Sequence, residues 1–530
     1  MQRLAGRIML LWGWKRGLTA FLAGLVSVLA LAPFGIFAAC FISFPVLVWL
    51  LDGASGNPDA GRLRRLLPAF FIGWWFGFGY FLGGLWWIGN ALLVEAEDFA
   101  WALPLAVVGL PAGLAIFYGI ATALARALWS DGVGRIFALA AAFGLVEWAR
   151  SFVFTGFPWN AIGYTAMPVP LMMQSDRVMG MDAMSMLAVF VFAAPALLGT
   201  IKGARIGLTL AGLVAAAHFG YGAYSLYIEK PPIDPSQQTL VRLVQPAIDQ
   251  SQKLDNSSRL SVFEAHLAMT AAVPAEGGKR PDVIVWPETA VPFILTENPD
   301  ALLRIADVLQ DGQVLLAGAV RTEESGTEQE PRYYNSIYAI DDKGQIITAA
   351  DKVHLVPFGE YMPFQSLLRS WGVDPVAMPG GYSAASVHNP LALPQGRSFY
   401  PLICYEAIFP HEIESAAAGT DALLNITNDA WFGNSPGPYQ HFQQARLRAV
   451  ESGLPMIRVA NNGITAMIDA RGQIVEGLGY DAKGYFDATL PGKMPLDHGN
   501  SSRNLIYTIL ASLGFLVALI SRSGFISRDN

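Results

Sequence analysis

Two regimes of hydrophobic and polar positions divide this chain. Before residue 229 long apolar runs are separated by short polar joints; from 229 to 503 apolar residues come in short runs; a final long apolar run follows. A stretch of ~20 apolar residues crosses the hydrocarbon core as a helix. The pattern predicts seven such spans, at 18–32, 36–51, 66–93, 101–128, 136–153, 178–201 and 206–228, and an eighth at 505–520. The second is short and holds Pro45. Residues 1–32 could alternatively be a cleaved signal peptide ending at Ala30-Leu31-Ala32, but Pro33 follows at once and further apolar runs come directly after.

The polar joints alternate in charge. Basic residues stand at the start (Arg3, Arg7, Lys15, Arg16), after the second run (Arg62, Arg64, Arg65), after the fourth (Arg126, Arg135), after the sixth (Lys202, Arg205) and after the eighth (Arg522, Arg528). The joint after the third run reads Glu95-Ala96-Glu97-Asp98. Under the positive-inside rule both termini are cytoplasmic and the segment after the seventh span faces outward, into the periplasm of a bacterium. The expected division is a transmembrane bundle at 1–228, an outer domain at 229–503, and a last span with a cytoplasmic tail at 504–530. Trp74, Trp75, Trp86, Trp87 and Trp101 near span ends suit interfacial belts. Glu147 and Arg150, three apart in the fifth span, either pair with each other or serve a function at membrane depth. No internal repeat suggests a transporter built from inverted halves.

In the outer segment, after the stiff linker Pro231-Pro-Ile-Asp-Pro235, strand-like runs at 240–244, 283–286, 314–319, 398–404 and 422–426 alternate with helical patterns at 261–272, 300–310 and 438–452. Hairpin turns are expected at Asp341-Asp-Lys-Gly344 and Asp469-Ala-Arg-Gly472. Together these predict an α/β domain with helices packed outside the sheet.

Composition sharpens the picture. The 530 residues are 53% hydrophobic and 15% charged, whereas soluble proteins carry about a quarter charged residues. A net charge of −7 leaves nothing to neutralise phosphates, so no nucleic-acid partner is expected. Two cysteines exclude a disulfide framework and a cysteine-rich zinc site. Cys404, in Pro401-Leu-Ile-Cys-Tyr-Glu-Ala-Ile-Phe-Pro410, is the thiol of the polar segment, since Cys40 lies in an apolar run.

Three polar groups fall at or just beyond strand ends: Glu288, Lys352 and Cys404. Side chains beyond the carboxyl ends of neighbouring strands converge on one crevice. A glutamate can take a thiol's proton, and a lysine can hold the oxyanion formed when the thiolate attacks a carbonyl. Each also has an ordinary reading: a helix N-terminal acid, a solvated surface charge, and a small buried hydrophobe. Spacing alone leaves both open.

The stretches around these residues resemble the carbon-nitrogen hydrolase (nitrilase) superfamily, and more closely its membrane branch, the apolipoprotein N-acyltransferases. The segments that carry the resemblance are Val285-Trp-Pro-Glu-Thr289, Lys352-Val-His-Leu-Val-Pro-Phe-Gly-Glu-Tyr-Met-Pro363, Ile403-Cys-Tyr-Glu406, Asn428-Asp-Ala-Trp-Phe-Gly433, Gly437-Pro-Tyr-Gln-His441, Arg458-Val-Ala-Asn-Asn-Gly-Ile-Thr465 and Phe157-Pro-Trp-Asn160. A departure is Pro246 in Leu243-Val-Gln-Pro-Ala-Ile248, where the family often has glycine, which puts the local turn in doubt.

The resemblance implies a four-layer α-β-β-α sandwich beside the eight-span membrane helix bundle. It implies a two-step acyl transfer with Glu288 as general base, Lys352 stabilising the oxyanion and Cys404 as nucleophile. Glu360 would support the lysine, the N–H of Tyr405 would complete the oxyanion hole, and Glu406 and Trp431 would shape the pocket. The acyl donor would be a phospholipid, typically phosphatidylethanolamine, and the acceptor a diacylglyceryl apolipoprotein; no cofactor or metal is implied. Because both substrates carry long chains, the apolar loop with Met362, Phe364, Leu367, Leu368 and Trp371 is expected to touch the membrane or gate the acyl chain. Two other readings share the sequence: a membrane-tethered amidase that transfers its acyl group to water, and a transporter or scaffold whose outer domain only binds a partner.

Overall fold

Helix forms at each of the eight apolar runs, over Gly13–Ser27, Cys40–Asp52, Leu67–Leu85, Leu110–Ala127, Gly134–Arg150, Asp176–Ala193, Ala204–Tyr227 and Asn500–Arg522. The computed structural model describes residues 1–56, 59, 61–229, 239–274, 278–324, 331–363, 370, 372, 381–413, 419–495 and 500–523. These fall into two units. One comprises Met1–Lys230, Asn434–Gln443 and Leu496–Asn530, the other Pro231–Gly433 and Gln444–Pro495.

In the helical unit, five described helical stretches are long and apolar enough to cross a membrane: Arg64–Val94, Ala96–Ala127, Asp176–Gly199, Ala204–Tyr227 and Ser502–Arg522. Phe37–Asp52 is apolar but shorter. Length and hydropathy thus mark fewer spans than the eight expected. Gly13–Ser27 carries Lys15 and Arg16, and Gly134–Arg150 carries Arg135, Glu147 and Arg150.

Without a hydrophobic drive between helices in lipid, close packing of small residues holds a bundle together. Gly24 and Gly79 show how close: a Cβ on Gly24 would meet the Phe76 carbonyl oxygen at 1.9 Å, and one on Gly79 the Phe21 oxygen at 2.1 Å. Glu147 and Arg150, 2% and 1% exposed, pair with each other, Arg150 Nη2 lying 2.6 Å from Glu147 Oε2. Arg150 Nη1 also donates to the carbonyls of Phe157 and Trp159, so the pair anchors the Phe157–Trp159 stretch. Arg150→Met leaves a buried carboxylate without its cation. We expect a loss of about 3–5 kcal/mol, read as a lower unfolding temperature of the detergent-solubilised protein.

Trp87 departs from the belt expectation. It is 2% exposed, and its indole N–H lies 3.2 Å from Gln440 Oε1. The same oxygen accepts from Trp159 Nε1 at 3.0 Å and Asn160 Nδ2 at 3.2 Å. Indole donors need an acceptor when buried, which draws these rings inward. Trp86 and Trp101 remain exposed.

The second unit is built on strands β1 (Leu240–Gln245), β2 (Val283–Val285), β3 (Val314–Glu323), β4 (Arg332–Asp341), β5 (Ile346–Asp351), β6 (Leu391–Ala392), β7 (Ser398–Ile403), β8 (Ala422–Thr427), β9 (Met456–Ala460), β10 (Thr465–Ile468), β11 (Ile474–Leu478) and β12 (Gly484–Thr489). One sheet runs β12-β1-β2-β3-β4-β5 and the other β11-β10-β9-β8-β7-β6. Each has three parallel strands at its centre, β1-β2-β3 and β7-β8-β9, flanked by antiparallel ones. Both predicted hairpin turns are present, joining β4 to β5 and β10 to β11.

One apolar core lies between the sheets, with Val241, Val285, Leu316 and Ile337 from the first and Phe399, Leu424, Val459 and Met467 from the second. Another lies under the helices Arg259–Ala271 and Pro299–Val308, where Phe263, Leu267 and Ile305 meet Ile284, Trp286 and Leu315. Alternate residues of the first sheet's strands thus enter different cores, as the pleat requires. The turn at Pro246 closes through Ala247, whose φ is +51° and whose N–H donates to the Asn461 carbonyl at 2.9 Å.

Candidate active site

The site grows from the carboxyl ends of three strands. Beyond β2 the chain leaves as Trp286-Pro-Glu288, and Glu288 is 6% exposed. Its neighbour Thr289 has φ +46°, a left-handed conformation that costs a β-branched residue energy. Two features hold it. Lys253 Nζ donates to the Glu288 carbonyl at 3.0 Å and to Thr289 Oγ1 at 3.1 Å. Gly318 on β3 lets the backbone pass, since a Cβ there would sit 2.4 Å from the Pro287 oxygen.

Lys352 follows β5 directly, its backbone N–H bonded to the Asn335 carbonyl at 2.8 Å. Its ammonium, 1% exposed, lies 2.9 Å from Glu360 Oε1 and 3.7 Å from Glu288 Oε1. Asn335 Nδ2 bridges the same two carboxylates at 2.8 and 2.9 Å. The other oxygen of Glu288 accepts from the Asn428 N–H at 2.9 Å, and that of Glu360 from the Val356 N–H at 2.8 Å. Both acids are therefore fixed in direction, and one cation lies between them.

Cys404 follows β7 directly, with φ +52°, and is 8% exposed. Its thiol hydrogen-bonds the Thr427 hydroxyl and feels the charges of Glu288 and Lys352. Burial pushes the thiol well above the usual cysteine range, Glu288 adds to that, and Lys352 opposes it. Burial pulls Lys352 down, but Glu360 and then Glu288 outweigh it, so its ammonium is held above the usual lysine range. The resting pair is a neutral thiol beside a firmly protonated amine. Lys253 is the contrast: burial lowers it to about 8 against the pull of Glu288.

Glu288, Lys352, Cys404 and Glu360 thus lie together. Tyr405 opens the turn after Cys404, its ring edge-on to Phe409 at 5.1 Å. Glu406 does not face outward: its oxygens take the N–H groups of Ile403 at 2.6 Å, Val353 at 2.7 Å and His354 at 3.0 Å. Trp431 is half-buried in the turn Asp429–Phe432, and no hydrogen bond or ring contact joins it to the other site residues described. Met362 is 6% exposed, whereas Phe364, Leu367, Leu368 and Trp371 lie outside the described residues.

Asn335 and Lys253 escaped the reading of the sequence. For Asn335 a signal existed, because Asn335-Ser336 places two polar residues inside an otherwise apolar strand. Lys253 gave none.

The site's chemistry fits acyl transfer, with a nucleophile, a base to take its proton and a cation to hold the oxyanion. The carbon-nitrogen hydrolase family matches residues 240–494, and the apolipoprotein N-acyltransferase N-terminal domain matches 23–194. The apolipoprotein N-acyltransferase of Sinorhizobium fredii is 64% identical over 533 residues, covering 100% of both chains. That of Rhizobium meliloti is 63% identical, again over 100% of both. Among solved structures, an amidase from Nesterenkonia sp. is 18% identical, covers 53% of this chain and 98% of its own, and gives a TM-score of 0.35.

Proposed function

The chain belongs to the apolipoprotein N-acyltransferases, and from that premise we infer how its residues carry out the reaction. It is a membrane acyltransferase that N-acylates lipoproteins. The observation that supports a mechanism best is the ammonium of Lys352 held between Glu288 and Glu360 beside the Cys404 thiol.

In the first step Glu288 takes the thiol proton as Cys404 Sγ attacks the ester carbonyl of a phospholipid. The resting thiol is raised by burial, so proton removal and attack go together. The developing oxyanion is met by Lys352 Nζ and the Tyr405 N–H. Collapse breaks the ester C–O bond, Glu288 returns its proton to the leaving lysophospholipid, and a thioester remains. In the second step the α-amine of a diacylglyceryl cysteine attacks that thioester. The C–N bond forms, the C–S bond breaks, the nitrogen gives its surplus proton to Glu288, and Cys404 recovers a proton from Glu288. Phosphatidylethanolamine is the proposed donor.

We place eight spans in the membrane, both termini in the cytoplasm, and the domain at 229–503 on the periplasmic side of the inner membrane. The alternation of basic and acidic joints supports this orientation. Phe358, 68% exposed with φ +66° and two residues from Glu360, gives the surroundings of the site an apolar character suited to lipid.

The deciding experiment incubates the full-length protein with phospholipid and a diacylglyceryl peptide and weighs the peptide. A gain of one acyl group is expected. Release of free fatty acid with the peptide unchanged would mean that water is the acceptor. For the apolar loop, replacing Leu367, Leu368 and Trp371 with serine should depress transfer from phospholipid far more than from a short soluble acyl donor. Equal losses from the two donors would remove the gating role.

A further inference from the structure

Behind the nucleophile lies a second charged group that the mechanism above does not use. Glu406, 1% exposed, spans two backbone segments. Through Oε2 it holds the N–H of Ile403, the residue before Cys404, and through Oε1 the N–H groups of Val353 and His354, which follow Lys352. One carboxylate thereby sets the spacing between the strand end that presents the thiol and the loop that presents the ammonium. A buried carboxylate needs a counter-charge, and Lys352 is already shared between Glu288 and Glu360.

His388 fills that place. Its Nε2 is 3.1 Å from Glu406 Oε1 and 3.9 Å from Glu412 Oε2, its side chain is 7% exposed, and its ring lies against Tyr400 with centroids 5.2 Å apart. The strap that carries it is sewn to the site: the Tyr382 N–H donates to the Glu360 carbonyl at 2.8 Å, and the Ala385 N–H to the Lys352 carbonyl at 2.9 Å.

We propose that His388 is a positioning residue for the nucleophile, an imidazolium that neutralises Glu406 so that this carboxylate can lock Cys404 and Lys352 in register. The proposal rests on the reading of Cys404 as nucleophile and Lys352 as oxyanion cation. The groups facing His388 are Glu406 and Glu412 from the two turns after β7, and Tyr400 from β7 itself. His354, from the loop after β5, pairs with the same Glu412, and Lys352 acts on Glu406 from the other side. Two acids thus bear directly on His388. Burial pulls His388 down, but Glu406 and then Glu412 outweigh it and hold the imidazolium above the usual histidine range. Burial would raise Glu406, and His388, by bond and by charge, brings it below the usual carboxylate range. The sign follows. A histidine raised in the folded protein contributes in full below its ordinary pKa of ~6.5 and loses that contribution as pH climbs through the raised value.

The test follows acyl-enzyme formation in the full-length protein, using phospholipid with a labelled acyl chain, from about pH 6 to about pH 9. His388→Ala should slow the step by about 10- to 100-fold, the scale of a small misplacement of reacting groups. His388→Gln, which keeps an N–H donor without charge, should recover part of that loss. It should also lack the alkaline decline that the wild type shows as the imidazolium deprotonates. Wild-type rates in His388→Ala, or the same alkaline decline in His388→Gln and wild type, would overturn the proposal. Should the alanine variant fail to fold, the glutamine profile decides alone. Label in a Cys404→Ala control would instead overturn the reading of the nucleophile, which keeps the two failures apart.

Discussion

Cys404→Ala is expected to eliminate the covalent intermediate and the acylated product together, with the rate falling by about 10⁴-fold or more, as when a nucleophile is removed from a catalytic triad. The alternative thiol, Cys40, is buried in the helical unit and offers no substitute. Cys404→Ser should be nearly as damaging. A thiol already pushed up by burial and Glu288 still ionises far more readily than a hydroxyl in the same place. The check is to incubate each variant with labelled phospholipid, denature it, and look for label on the chain. Label retained by Cys404→Ala would show that another residue is the nucleophile.

Lys352→Met should cost about 10²–10³ in the rate of acyl-enzyme formation, the scale set by losing an oxyanion donor. A second effect adds to it. Lys352 is the cation that lowers Cys404 against burial and Glu288, so without it the thiol moves further up. Alkylation of Cys404 by iodoacetamide at a fixed pH should therefore be slower than in the wild type, whereas a general loss of fold would expose the thiol and speed it. Glu288 and Glu360 would also be left facing each other through Asn335 alone, which should lower the unfolding temperature. Alkylation at the wild-type rate, with acyl transfer merely reduced, would mean that the lysine does not act on the thiol.

The places of Glu288, Lys352 and Cys404 could be read because each follows a run of apolar or β-branched residues that ends in the same kind of position, at a strand's carboxyl end. The α/β character of the outer domain was legible for a related reason: short apolar runs, turn residues at Asp341–Gly344 and Asp469–Gly472, and helical patterns alternate clearly, whereas the division into two sheets came only from the family resemblance. Contacts made across the fold were not. Asn335 reaches two carboxylates only through the register of β4 against β5, and His388 meets Glu406 across 18 positions with no periodicity between them. Trp87 could not be told from Trp86 by sequence, since an indole near a span end looks alike whether it meets lipid or an amide oxygen. The number of spans stays harder to count than their positions, because Arg135, Glu147 and Arg150 lower the hydropathy of a helix that nonetheless buries all three.

Asn335 also bears on how the site ages. Loss of ammonia from its amide would set a third carboxylate between Glu288 and Glu360, so spontaneous deamidation there would poison the enzyme from within. That reaction needs the following backbone nitrogen to swing onto the side chain, a motion open to loops. Asn335 sits in mid-strand, 2% exposed, registered against Val320 on one side and bonded to the N–H of Lys352 on the other. The strand that aims the amide also shields it from slow chemical decay.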